Sequence, residues 1–136
     1  MVQGTSSEPE VDEDGATLIS LDTAVEMALD LLKKRELKAS AGMLESILEM
    51  EPDHAVALNA LGVAKFHLEG AQASADFLKA AVERLPRNAS LRNNLGNAYV
   101  ELGDIDAAVD AYDKAIEIDP KLADPYCNLA SIVKHA

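Results

Sequence analysis

The stretch LGNAYVELGDIDAAVDAYDKAIEIDP, Leu95 to Pro120, decides the fold. A large and a small residue, Leu95-Gly96, lead to a turn at Gly103-Asp104, an apolar face at Ala108, Tyr112 and Ala115, and a stop at Asp119-Pro120. Two helices joined by a tight turn fit this order, because glycine ends the first, aspartate caps the second and proline blocks its continuation. The stop recurs: Pro52, Pro86 and Pro120 stand 34 residues apart. Aligned on these prolines, the chain divides into units 21–54, 55–88 and 89–122, with a partial unit or cap at 123–136.

The alignment holds position by position. The seventh position reads Met27, Leu61, Leu95, Leu129, large and apolar throughout, and the eighth reads Ala28, Gly62, Gly96, Ala130, small throughout. Small residues there suit two helices that cross closely. The twentieth position is small again (Ser40, Ser74, Ala108), while Leu44, Leu78, Tyr112 and Ile47, Ala81, Ala115 occupy core positions of each second helix. Caps and breakers predict helices over about 22–34, 37–50, 54–68, 71–85, 89–102, 105–118 and 124–134. Gly70 and Gly103 end first helices, Asn88 and Asp104 cap the helices that follow, and Pro125 suits the first turn of the last. A unit of two helices cannot bury its apolar face alone, so the units must stack into an all-α solenoid of three full repeats plus one further helix.

Composition bounds the function classes. The 136 residues are 49% apolar with no tryptophan and five aromatics, the profile of one Ala- and Leu-rich helical domain. No apolar run reaches the length of a membrane span, and the N-terminus lacks the basic-then-apolar order of a signal peptide. The single cysteine, Cys127, rules out an intramolecular disulfide framework and fits a reducing compartment, so a cytoplasmic location is expected. Net charge is −12, of which residues 1–20 supply −5 through Glu8, Glu10, Asp12, Glu13 and Asp14 with no Lys or Arg. That acidic tail is expected to be disordered, as a solubilising leader or as an acidic docking segment. The overall sign argues against nucleic acid and anionic membranes, both of which need a basic footprint. Lys33-Lys34-Arg35, the one basic cluster, sits at a helix C-terminus that favours cations anyway.

These residues resemble the tetratricopeptide repeat (TPR) family over 21–136. The third unit is the nearest to its pattern, with Leu95-Gly96-Asn97-Ala98-Tyr99, Gly103-Asp104, Ala108, Tyr112, Ala115 and Asp119-Pro120. Departures are local: Arg92 stands where the family has a large apolar residue, Lys65 replaces the aromatic seen at Tyr99, and the first unit lacks the turn glycine. The resemblance implies a right-handed α-solenoid whose first helices line a concave groove, with ligand contacts from positions 2, 5, 6, 9, 12 and 13 of each unit. Carried onto this chain, those positions give Asn59, Val63, Phe66 and His67, then Asn93, Asn94, Asn97 and Glu101, then Cys127, Asn128 and Ser131. Asparagine dominates, and an amide that both donates and accepts can satisfy a peptide unit of any sequence.

Asn94 and Asn128 share one position a repeat apart, which implies a ladder resembling the asparagine-lined superhelix of the O-linked N-acetylglucosamine transferases. The same amides could instead bridge adjacent helices, and a double role is expected. The Lys/Arg clamp with which chaperone-binding relatives hold an acidic C-terminal peptide is missing, since positions 2, 5 and 6 carry no basic residue. In its place the groove is expected to be apolar toward the N-terminus, through Val25, Leu29, Val56, Val63 and Phe66, partly covered by Ala16–Leu21, and polar toward the C-terminus.

Chemistry of its own is not expected. Cys127, Ser131 and His135 share one face of the last helix, yet two helical turns separate the thiol from the imidazole by about 12 Å, and no oxyanion donors or orienting acid accompany them. His54 and His67 have no chelating spacing, and the acidic run Asp104, Asp106, Asp110, Asp113, Glu117 reads as a solvated convex face. The expected function is a non-enzymatic scaffold that binds a peptide or protein segment in the groove, without cofactor or metal. Two other readings stand beside it: a substrate-recruiting arm of a larger enzyme such as a glycosyltransferase, and a self-associating module. Tyr126, Leu129, Ile132 and Val133 leave the last helix more apolar than a simple cap, which suggests a fragment of a longer array and a homo-oligomer formed through that helix.

Overall fold

The computed structural model describes residues 10–11 and 17–135. Two short strands, β1 (Glu10–Val11) and β2 (Thr17–Leu18), pair antiparallel with Glu10 opposite Leu18 and Val11 opposite Thr17. So part of the tail expected to be disordered forms a ladder of two residue pairs, and residues 1–9 and 12–16 lie outside the described residues. Seven helices follow: α1 (Leu21–Lys33), α2 (Leu37–Met50), α3 (Ala55–Glu69), α4 (Ala71–Arg84), α5 (Ala89–Leu102), α6 (Ile105–Ile118) and α7 (Asp124–His135). They make an all-α helical-repeat solenoid, and no helix of the described residues is long and apolar enough to cross a membrane.

Local chemistry explains the boundaries. Asn88 and Asp104 accept the N–H groups of Leu91 and Ala107, as caps should, and Ser20 and His54 do the same for Thr23 and Ala57. Gly103 ends α5 in the left-handed conformation, with φ of 83°. The first unit has Arg35 at the equivalent position, and the backbone still takes the left-handed form there, with φ of 66°. The turn geometry is thus dictated by the helix pair, and the missing glycine costs strain rather than the turn.

Stacking buries one side of every helix. α3 gives Ala57, Ala60, Leu61 and Ala64 to a first core cluster and Leu58 to a second that continues through Leu78, Leu91 and Leu95. The eighth position works as the alignment implies: a Cβ on Gly62 would lie 2.6 Å from Leu78 Cδ2, and one on Gly96 would lie 2.6 Å from Tyr112 Cε1. Leu78 and Tyr112, seated on this position, are buried in turn, as is Leu44, their counterpart in the first unit. In the first unit the Ser40 hydroxyl donates to the Ala28 carbonyl at 2.8 Å, joining the paired helices at their closest approach.

Met27 is 45% exposed, whereas Leu61 and Leu95 at the same repeat position are buried. Arg92 and Lys65, the departures from the repeat pattern, find polar substitutes for apolar contacts. Arg92 Nε donates to the Pro86 carbonyl at 2.8 Å, and the equivalent Tyr126 hydroxyl donates to the Pro120 carbonyl at 3.0 Å, each fastening a first helix to the preceding loop. Lys65 pairs with Glu69 at 2.8 Å and reaches Glu45 of α2 at 3.8 Å; one repeat later the same pair of positions is Tyr99 beneath the Lys79 ammonium.

Gly96→Leu should force α5 and α6 apart and cost about 1–3 kcal/mol, read as a lower Tm by calorimetry. Arg35→Gly should raise stability by about 1 kcal/mol, since glycine adopts positive φ without a Cβ penalty. Unchanged Tm in both variants would contradict the assigned packing and turn.

Candidate functional site

Curvature comes first. Among the described residues the first helices touch one another, α1 with α3, α3 with α5 and α5 with α7, whereas α2, α4 and α6 touch only first helices. Helices that approach on one side and splay on the other bend the stack, so α1, α3, α5 and α7 lie on its inner face.

Asparagines set the spacing of that face. Asn94 Nδ2 donates to Asn59 Oδ1 at 3.1 Å, and one repeat on Asn128 Nδ2 donates to Asn93 Oδ1 at 2.9 Å. The pattern is regular: the sixth position of one unit donates to the fifth position of the unit before it. Asn128 also donates to Asn97 Oδ1 at 3.1 Å, and Asn97 Oδ1 accepts the Tyr112 hydroxyl at 2.6 Å. The chain Asn93–Asn128–Asn97–Tyr112 therefore ties α5, α7 and α6 together.

Two adjoining cavities open between these helices. The larger, about 480 Å³, is lined by Phe66, Val100, Ile105 and Ile132 with Asn97, Glu101, Tyr112, Asn128 and Ser131. The smaller, about 140 Å³, is lined by Val63, Phe66, His67, Leu78, Asn94 and Asn97. Phe66 and Asn97 belong to both, so the two adjoin as a candidate groove lined by apolar side chains and by amides.

Of the expected residues, Val63, Phe66, His67, Asn94, Asn97, Glu101, Asn128 and Ser131 line these cavities. Asn59 holds Asn94 from behind, and Asn93, only 5% exposed, serves as the anchor of Asn128 and offers little surface to a ligand. Val25, expected on the apolar part of the groove, is buried in the first core cluster, because its face of α1 packs onto neighbouring helices. Ile19 and Leu21, expected to help cover the groove, instead line an apolar cavity of about 570 Å³ against α2, with Met43 and Met50, at the N-terminal end of the stack. Cys127 is exposed.

Sequence reasoning missed Val100, Ile105, Tyr112 and Ile132. Val100 occupies the same repeat position as Phe66 and was findable by alignment; Ile105 and Tyr112 come from a second helix, which the groove positions leave out. Tyr112 is 1% exposed, and burial pushes its phenol up to about 12. In the acidic run of α6, Asp104 is a cap and Asp110 bridges Lys114 at 3.1 Å, so two of its members have local structural duties.

The buried phenol makes a test of this network. Below pH 10 Tyr112 is protonated in folded and unfolded chains alike, and its contribution to stability is constant. As pH rises past 10 the unfolded chain ionises first, and stability falls until the folded group titrates near 12. Across that window wild type should lose on the order of 2 kcal/mol more than Tyr112→Phe, measured by denaturant unfolding at several pH values. Parallel losses would show that the phenol is not held in a desolvated site.

Comparison with known proteins bears on the same residues. Residues 25–89 match a family described as Tetratricopeptide repeat, and residues 96–134 one described as TPR repeat. Among solved structures, an O-GlcNAc transferase of Thermobaculum terrenum is 25% identical with a TM-score of 0.77 over 80% of this chain and 21% of its own. YrrB, described as a TPR protein with an unusual peptide-binding site, is 19% identical with a TM-score of 0.74 over 83% of this chain and 58% of its own. The first TPR of Spaghetti, bound to the HSP90 peptide SRMEEVD, is 16% identical with a TM-score of 0.79 over 92% of this chain and 95% of its own. The chain thus spans about a fifth of the transferase and rather more than half of YrrB. A search of curated protein sequences gives no match.

Proposed function

The chain belongs to the tetratricopeptide repeat family, whose repeats serve as protein-interaction scaffolds, and from that premise we propose that it holds an extended peptide segment of a partner protein in the groove between α3, α5 and α7. The observation that carries this is the pair of adjoining cavities lined by the apolar Val63, Phe66, Val100 and Ile132 together with the amides of Asn94, Asn97 and Asn128. An extended peptide presents side chains and backbone polar groups in alternation. The floor takes the former and the amides the latter, each bond contributing on the order of 1 kcal/mol. A groove of this size holds few anchors, so affinity in the micromolar range is expected. The amides have a double role, spacing the first helices and meeting the ligand. The chain works without cofactor or chemistry of its own, in the reducing cytoplasm that a lone exposed Cys127 tolerates.

Two observations favour additional settings for the same scaffold. The likeness to about a fifth of the Thermobaculum transferase supports a place as the recruiting arm of a larger enzyme. Exposed Tyr126 and Val133 on α7, beside half-buried Leu129, support self-association through the C-terminal end. Light scattering in reductant should then show a concentration-dependent dimer that Leu129→Glu weakens; a strict monomer at high concentration would remove that reading.

A peptide selected from a random displayed library against the intact chain should lose affinity roughly tenfold on Phe66→Ala, the size of effect expected of a central anchor. Met43→Ala, in the cavity at the N-terminal end, should leave it unchanged. The reverse pattern would move the binding site to that end and overturn the groove reading.

A further inference from the structure

The ladder leaves the groove with an uneven supply of hydrogen-bonding groups. A primary amide carries two N–H donors and one carbonyl oxygen. Asn128 spends both donors, on Asn93 and Asn97, and keeps only its oxygen for a ligand; Asn94 gives one N–H to Asn59 and, among the described residues, keeps the other together with both lone pairs of its oxygen. Asn97, whose oxygen already accepts from Tyr112 and Asn128, contributes its two N–H groups, fewer than the lone pairs offered by the Asn94 and Asn128 oxygens and the Glu101 carboxylate together. Glu101 adds an exposed carboxylate to the larger cavity, and among the described residues no Lys or Arg lines either cavity. The rim is therefore acceptor-rich and negative, within a chain of net charge −12.

Resting on the groove reading above, we infer that the preferred partner segment is a basic and apolar one, in which a lysine or arginine stands between apolar residues. The alkyl stem of such a residue lies along Phe66, Val100 and Ile132, as long cationic side chains do on apolar surface. Its head donates to the Asn128 oxygen and meets the Glu101 carboxylate, while the neighbouring apolar side chains fill the floor. An acidic segment has the opposite fate: its carboxylates meet the like charge of Glu101, and among the described residues no lysine or arginine of either cavity offsets it. Charge complementarity also steers the encounter, since a negative groove attracts cationic segments from a distance.

The probes are three acetylated and amidated octapeptides in which leucine alternates with lysine, glutamine or glutamate, titrated by fluorescence against the intact chain. The lysine peptide should bind tightest and the glutamate peptide weakest. Glu101→Gln should weaken the lysine peptide roughly threefold, as an exposed charge pair does, and leave the glutamine peptide unchanged. Asp76→Asn, the same change of charge on the exposed face of α4, is the control for diffuse attraction and should have no effect. Phe66→Ala separates the two levels of the argument. Peptides that bind with dependence on Phe66 but without preference for lysine, or that respond equally to Asp76→Asn, overturn this inference and leave the groove reading intact. Binding that ignores Phe66, or no binding of any peptide, overturns both.

Discussion

The close approach of paired helices at the eighth position of each repeat is the constraint on which the structure depends. At Gly62 and Gly96 a methyl group would have to lie 2.6 Å from the side chain seated opposite, so the helices sit closer than two alanine-bearing surfaces allow. That approach buries Leu78 and Tyr112 against backbone, and it brings the Tyr112 hydroxyl within reach of Asn97 on the groove side of α5. Core packing and groove chemistry thus meet in one side chain. A change that lifts α6 from α5 would also disturb the amides that a ligand is proposed to meet.

Between repeats a second device operates. The fifth-to-sixth-position amide bonds, Asn59 with Asn94 and Asn93 with Asn128, draw the first helices together on the inner face, while the second helices stand apart. Because the bonds run in one direction along the stack, they also decide which end of each amide remains for a ligand. The groove's polarity follows from how the repeats are joined, and mutations made to test binding at Asn94 or Asn128 report on stacking at the same time.

Helix positions were legible in the sequence to within one residue at nearly every end, because caps, turn glycines and prolines act locally and recur in phase. Most residues lining the two candidate cavities stand at positions the sequence singled out, namely Val63, Phe66, His67, Asn94, Asn97, Glu101, Asn128 and Ser131. What escaped has physical reasons. Repeat alignment treats every unit alike, so it groups Met27 with Leu61 and Leu95 although Met27 is exposed and they are buried. It compares residue types and not amide directions, so it could place asparagines in a column but could not say that Asn93 faces Asn128. The left-handed Arg35 is invisible for a similar reason, as the backbone there obeys the helix pair and not its own side chain.

The groove as the site of peptide recognition is the central claim, and the most direct measurement is a backbone amide shift map of the isotope-labelled chain titrated with a library-selected peptide. The account predicts shifts concentrated at Val63, Phe66, Asn97, Val100, Asn128 and Ser131, with the outer faces of α2, α4 and α6 unmoved. Shifts confined to Met43, Met50 and their neighbours, or spread over the outer helices with the groove silent, would contradict it.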